Sequence, residues 1–194
     1  KVITLLEATR KMRQRTYFGT MMVELGEADA FISGQNRNYP DTIRPALEII
    51  GKEEGTNKVA GMYIIMSKQG PLFFADTTVN IDPTSDDLVD IVKLIHKSVN
   101  KLQIKPRIAM LSYSNFGSAK GKTVTNIQKA LKRLNTENPE ILVDGEMQAN
   151  TALDAELRQE LFPFCKLGSE NANVFIFPAL SSGNIAYKMV QSLG

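Results

Sequence analysis

Apolar residues recur along this chain with two different periods, and the alternation of those periods predicts its elements. Behind Thr84 the positions Leu88, Ile91, Val92, Ile95, Val99 and Leu102 fall three and four apart, the spacing of one helix face. Thr84 suits the cap of that helix, and Asp86 and Asp87 favour its positive end. Short runs, apolar apart from Arg107 and Asn173 at their starts, lie between the helical patterns, at 107–111 after Pro106, at 141–143 and at 173–177. Runs that are apolar on both sides read as parallel strands buried within a sheet. The runs 59–66 and 72–75 flank the turn signal Ser67-Lys68-Gln69-Gly70-Pro71 and predict a hairpin. Near the start, Thr4-Leu5-Leu6-Glu7 has the form of a capping box, with Leu5, Ala8 and Met12 on one helix face. A second helix is predicted over 17–25, with Phe18, Met21, Met22 and Leu25 inward and Gly26 as its stop. A strand is expected at 28–32, and further helices at about 120–134, up to about 161, and 184–193. Elements 52–58 form a charged connection. The sum is an α/β fold: a mostly parallel sheet with helices on both faces and an antiparallel hairpin at its edge.

One stretch concentrates candidate chemistry. After the run 28–32 the chain reads Ser33-Gly34-Gln35-Asn36-Arg37-Asn38-Tyr39-Pro40, then Asp41 as expected N-cap of a helix over 42–50, stopped by Gly51. Pro45 then belongs to the first turn, where a missing N–H costs least. A strand end, a polar loop and a helix start make an anion site in many α/β folds. Arg44 adds a planar fork of donors suited to phosphate or carboxylate. The alternative is that Arg37 and Arg44 are merely solvated, or paired with Asp41 and Glu48.

Composition narrows the choice. The 194 residues carry 23 basic and 21 acidic side chains, a net charge of +2, and no basic run stands out, so nucleic acid and a membrane surface are poor partners. No apolar stretch is long enough to span a bilayer and no signal peptide is visible. Cys165 is the single cysteine, which excludes an internal disulfide and suits a reducing, cytoplasmic compartment. The chain opens at Lys1 rather than Met, which hints at a segment of something longer.

Other motifs carry less. No G-x-G-x-x-G follows a strand, the Gly117-to-Thr123 stretch lacks the first glycine of a Walker loop, and a single histidine leaves little room for a Ser-His triad. His96, at the edge of an apolar stripe, reads as structural. Asp144 and Glu146 could hold a metal or act as acid and base, or cap the following helix. Cys165 is either a nucleophile of lowered pKa or a buried thiol among Phe162, Pro163 and Phe164.

Six stretches carry a family resemblance: G-E-A-D-A-F-I-S-G, D-T-I-R-P-A, F-F-A-D-T-T-V-N, M-L-S-Y-S, D-G-E-M-Q and V-F-I-F-P-A-L-S-S-G-N-I-A-Y-K. In this order they resemble the phosphate acetyl/butyryltransferases, over nearly the whole chain. That resemblance implies a cleft between two α/β domains where an acyl group moves between coenzyme A and phosphate. It implies Arg44 as the catalytic arginine, with Ser33, Gly34, Asn38, Asp41 and Thr42 as substrate-binding positions and no metal. It implies that 1–50 belongs to a first subdomain, 51–180 to an inserted second one, and 181–194 to a helix returning to the first. The family's serine–arginine pair and catalytic aspartate are expected beyond Gly194 and a further arginine before Lys1, so this stretch alone is expected to be inactive. The loop Arg37-Asn38-Tyr39-Pro40 departs from the small hydroxyl residues of standalone transacetylases and, together with S-Y-S-N-F-G, D-G-E-M-Q-A-N and L-F-P-F-C, resembles the variant fused behind bacterial NADP-dependent malic enzymes. The leading expectation is therefore a regulatory, assembly-forming acetyl-CoA or acetyl phosphate domain of such an enzyme, which converts malate to pyruvate, carbon dioxide and NADPH. NADP and a divalent metal would then belong to an N-terminal malic-enzyme domain. The alternative is a working phosphate acetyltransferase. A third is an oligomerisation module with a relic cleft. In each case a homo-oligomer, at least a dimer, is implied.

Overall fold

The computed structural model describes residues 3–52 and 56–193. Residues 53–55, within the charged connection expected at 52–58, lie outside the described residues. The chain divides into two units, Lys1–Thr56 and Asn57–Gly194.

The first unit is helical: α1 (Leu5–Met12), α2 (Arg15–Glu24) and α3 (Tyr39–Ile49). The capping box of α1 forms as expected, with the Glu7 N–H donating to Thr4 Oγ1 and Glu7 Oε2 accepting from the Thr4 N–H. Gly26 ends α2 at φ +72°, and the N–H groups of Gly26 and Glu27 donate to the carbonyls of Val23 and Met22, a Schellman closure. Three expectations fail here. The inward face of α2 is Thr16, Tyr17 and Thr20, which turns toward α3, while Phe18 and Leu25 are exposed. Residues 28–32 form no strand. They have no partner strand among the described residues of this unit, and Phe31 instead lies against Gly19, where an added Cβ would run into its ring. Helix α3 starts at Tyr39 rather than Thr42, with Asn38 at the N-cap position and Asp41 within its first turn. Pro40 near the helix start fixes the helical φ three residues early. Pro45 therefore lies inside the helix.

The second unit contains the sheet. Its strands are β1 (Met62–Ser67), β2 (Gly70–Ala75), β3 (Ile108–Leu111), β4 (Val143–Met147) and β5 (Val174–Ile176), in the order β1-β2-β5-β3-β4. Only β1 with β2 is antiparallel; the pairs β2–β5, β5–β3 and β3–β4 are parallel. The hairpin sits at the edge, as expected, closed by Lys68 and Gln69, with Gly70 at φ +104°. The helices are α4 (Ser85–Lys101), α5 (Lys122–Glu137), α6 (Ala149–Leu153), α7 (Ala155–Leu161) and α8 (Leu180–Leu193), the last starting four residues earlier than its pattern suggested.

Strand side chains alternate between two layers, which is why the central strands β3 and β5 are apolar at every position. Phe73, Ala75, Ile108, Met110, Val143, Val174 and Ile176 pack against α4 and α5. Phe74, Ala109, Leu111, Met147, Phe175 and Phe177 pack on the other face with Ala152, Cys165 and Leu167, and with Ala186 and Tyr187 of α8. The α4 stripe is buried at Leu88, Ile91, Val92, Ile95 and Val99, while Leu102, beyond the helix end, is half exposed. At about 1.5–3 kcal/mol for each such side chain, this one face supplies on the order of 10 kcal/mol before entropy, comparable to a domain's net stability. Hydrophobic patterning therefore decides this helix, and its cap only fixes where it begins.

Asp144, Gly145 and Glu146 belong to β4 and cap nothing. Asp144 accepts the N–H groups of Gly145 and Lys166 at 2.9 and 2.7 Å. Glu146 is 1% exposed and accepts from Ser114 Oγ and the Gly117 N–H. Both carboxylates are spent on fixing neighbouring loops. Cys165 is buried, and burial first, then the Asp144 carboxylate, push its thiol up to about 11, so the inert reading holds. Burial likewise lowers the His96 imidazole, against the pull of Glu140. No helix is long and apolar enough to cross a membrane among the described residues.

Candidate active-site groove

Within the first unit the three helices are tied together at Glu48. Lys11 Nζ of α1 and Tyr17 Oη of α2 both donate to Glu48 Oε2 of α3, the latter at 2.9 Å. The ammonium also lies over the Tyr17 ring, 4.8 Å from its centroid. The Lys11 hydrogen bond, then that of Tyr17, hold the Glu48 carboxyl below its usual range, and the field of Arg44 adds to this. Glu48 is thus occupied by a lysine and a tyrosine. Arg44, one turn earlier on α3, makes no ion pair or hydrogen bond with a described residue, and neither does Arg37; both are exposed. Of the two readings left open for these arginines, pairing with Asp41 and Glu48 is the one the geometry removes.

Arg44 lines a cavity of about 330 Å³ with Lys11, Gln14, Tyr17, Arg37, Asp41 and Pro45. Gln14, Arg37 and Asp41 also border a larger one of about 890 Å³, lined further by Arg13, Arg15, Gln35, Asn36 and Asn38. The shared wall makes these adjoining compartments of one groove. Of the expected site residues, Arg44, Asn38 and Asp41 come together here. Ser33, Gly34 and Thr42 line neither compartment. Thr42 instead faces Gly34, its Cγ2 3.9 Å from where a Gly34 Cβ would sit, and donates to the Asn38 carbonyl at 3.4 Å. Because α3 begins at Tyr39, Arg44 stands in its second turn, where the positive end of the helix contributes less than a place in the first turn would. Side chains, not the helix terminus, make this groove cationic.

Sequence reasoning missed Arg13 and Arg15. The signal was the run Arg10-Lys11-Met12-Arg13-Gln14-Arg15, which a near-neutral total charge concealed. It spans the end of α1 and the start of α2, and that junction turns Arg13 and Arg15 toward the loop before α3.

A mostly parallel sheet covered on both faces, in a chain that also carries a helical unit with an arginine-rich groove, defines the class as α/β. The family model for phosphate acetyl/butaryl transferase matches residues 1–194, and the chain belongs to that family. A phosphate acetyltransferase of Bacillus subtilis (strain 168) is 38% identical over 188 residues, 97% of this chain and 58% of the relative. Among solved structures, EutD phosphotransacetylase from Staphylococcus aureus superimposes with a TM-score of 0.85 at 36% identity, over 98% of this chain and 59% of that one. A phosphotransacetylase from Streptococcus pyogenes does so with 0.87 at 37% identity, over 98% and 58%. The chain thus spans somewhat under two thirds of the relatives it matches. These relatives are phosphate acetyltransferases, and this overturns the expectation of a regulatory domain of an NADP-dependent malic enzyme. That expectation hung on the exposed stretch 37–40 together with three other short stretches, 112–117, 144–150 and 161–165, and such short stretches do not outweigh a likeness that runs over nearly the whole chain.

Proposed function

We propose that this chain supplies part of the site of a phosphate acetyltransferase, moving an acyl group between coenzyme A and phosphate. The observation that carries the reading is the Arg44 compartment: a guanidinium with no acid partner among the described residues, beside Arg37 and Lys11, on a helix held by the Lys11–Glu48–Tyr17 tie. In acyl transfer from an acyl phosphate to a thiol, negative charge builds on the carbonyl oxygen and on the departing phosphate. Fixed cations that meet this charge lower the barrier, each by a factor of about 10² or more. Arg44 suits the phosphate, since its fork can take two oxygens at once. Coenzyme A or its acyl ester is the second substrate in this reading, in a cytoplasmic setting that suits the buried thiol. Exposed Tyr63, Ile64 and Met66 on β1, with Val190 on α8, support assembly of at least a homodimer.

The test is Arg44→Ala beside Arg44→Lys. A charge-assisted fork to phosphate is worth about 1.5–3 kcal/mol. Acetyl phosphate, titrated calorimetrically, should therefore bind Arg44→Ala at least about tenfold more weakly, and Arg44→Lys should recover part of the loss. The melting temperature should not move, because Arg44 is exposed and bonds to no described residue. Unchanged affinity with an intact fold would remove Arg44 from the site. Failure of coenzyme A to bind the wild type would leave only an assembling module.

A further inference from the structure

Lys11 stands on the boundary of two cavities. It lines the Arg44 compartment, and it also lines a cavity of about 780 Å³ bordered by Ala8, Met12, Met21, Glu48 and Ile49. Tyr17 lines both, whereas Glu48 borders only the second. Of the three cations around the Arg44 compartment, Arg37, Arg44 and Lys11, only Lys11 is an amine. Beside an acyl phosphate that difference matters. A guanidinium keeps its proton and makes no bond to the acyl carbon. A neutral amine does make one. Its nitrogen attacks the carbonyl carbon and an N–C bond forms. The C–O bond to phosphate breaks, its electron pair leaves on the phosphate, and the amine gives up a proton. A carbonyl held in the same small compartment meets the amine at a high local concentration. The amide that results does not revert, and it removes a cation from the site.

The bonding around Lys11 opposes this outcome. Its Nζ donates to Glu48 Oε2, and the two side chains are 33% and 41% exposed, so exclusion from solvent is not what holds the amine back. Buried Tyr17 donates to the same carboxylate oxygen at 2.9 Å, and its ring lies under the ammonium, 4.8 Å from centroid to nitrogen. The Glu48 hydrogen bond, opposed by burial and helped by Tyr17, holds the Lys11 ammonium above the usual lysine range. Because Glu48 borders only the second cavity, its carboxylate draws the nitrogen to that side of the boundary.

We propose that Glu48 is a positioning residue that keeps Lys11 a cation and not a nucleophile, and so shields the site from acylation by its own acyl phosphate. Resting on the acyl-transfer reading above, Lys11 lends the Arg44 compartment its charge while its nitrogen stays occupied by Glu48.

The experiment incubates the full chain and its Glu48→Gln variant with acetyl phosphate and follows acetylation of each lysine by peptide mass spectrometry. Exposed Lys68 and Lys129 serve as references within the same molecule. Glutamine keeps an oxygen for Tyr17 and loses the charge, and a thermal melt verifies the fold. In the wild type, Lys11 should be acetylated no faster than the references. In Glu48→Gln it should react about fivefold faster or more, the upper range of what a part-exposed ion pair contributes, with the references unchanged. Glu48→Asp should recover part of the protection, since it keeps the charge on a shorter arm. Inorganic phosphate should slow Lys11 of the glutamine variant and leave Lys68 and Lys129 as they were, because it competes for the compartment alone. An unchanged ratio of Lys11 to the references in Glu48→Gln, even with a lowered melt, makes Glu48 merely structural; it overturns the shield and leaves the acyl-transfer reading standing. Wild-type Lys11 acetylated ahead of the references also overturns the shield. Faster labelling that inorganic phosphate does not slow upholds the shield and sinks the Arg44 compartment as the phosphate seat, since the reagent then arrives from solvent. If Glu48→Gln does not fold, the wild type decides alone: a Lys11 ratio lower in the native chain than in urea upholds the shield, and an equal ratio overturns it.

Discussion

Replacing Asp76 with asparagine should unfold much of what the sheet holds in place. Asp76 follows β2, is 2% exposed, and gathers donors from two segments. Its Oδ1 accepts the N–H groups of Gly61, Thr78 and Val79 at 3.1, 3.0 and 3.1 Å. Its Oδ2 accepts the Asn80 N–H at 2.7 Å and the Asn80 side-chain amide at 2.5 Å. The same amide reaches back to the Val59 carbonyl at 2.9 Å, so the carboxylate staples the approach to β1 onto the loop after β2. An asparagine has one oxygen, and whichever way its amide turns, an NH₂ group meets at least two N–H donors. Each hydrogen bond to a buried charge is worth about 1.5–3 kcal/mol and each stranded donor costs about 1–3. Two lost partners therefore set the expected loss at about 3–6 kcal/mol, or a melting temperature lower by on the order of 10 °C for a chain of this size. The assay is urea unfolding followed by far-ultraviolet circular dichroism, with Asp82→Asn as control. Among the described residues Asp82 makes only a surface pair with Lys122, so its variant should stay within about 0.5 kcal/mol of wild type. If Asp76→Asn unfolds at the same urea midpoint as Asp82→Asn, the bonding argument is wrong.

Two further variants probe other buried groups. Arg158 is fully buried and donates to the carbonyls of Thr151, Ala152, Gly168 and Glu170, so Arg158→Met should cost about 3–5 kcal/mol in the same urea titration, and a near-neutral result would mean those carbonyls find other donors. For Cys165 the sign follows from the raised value: with a thiol moved from 9.0 to about 11, the folded chain keeps its proton where the unfolded chain has lost it. Stability from this group is whole below pH 9 and lost between pH 9 and about 11, to the extent of about 2 kcal/mol, and Cys165→Ser should lack that slope. Rapid labelling of the native thiol at neutral pH would contradict the buried reading.

The second unit was legible in the sequence because its signals repeat. Five stripe positions on α4, and the strands β3 and β5 with no polar interruption, leave little choice about which faces are buried. The first unit was harder to read because its packing is not driven by apolar periodicity. In α2 two threonines and a tyrosine face inward while Phe18 and Leu25 do not, and the run at 28–32 has apolar residues but no strand beside it. Asp144 and Glu146 looked like caps because acidic residues after an apolar run usually are; here β4 continues through them, and the bonds that spend them come from residues 114, 117 and 166. Arg44 was visible as a short motif. Arg13 and Arg15 were not, because their role depends on a helix junction folding back onto a loop more than twenty residues away.

The position of β5 has a consequence for how the protein is made. The sheet runs β1-β2-β5-β3-β4, so the last strand in chain order fills the gap between two pairs that are otherwise not hydrogen-bonded to each other. As the chain leaves the ribosome, the hairpin and the β3–β4 pair must wait as two half-sheets, each with a raw edge, until residues 174–176 emerge. That strand is only three residues long, yet it closes both edges at once. The interval before its arrival exposes apolar strand edges to neighbouring nascent chains, and any messenger truncated upstream of it yields two halves with nothing to join them.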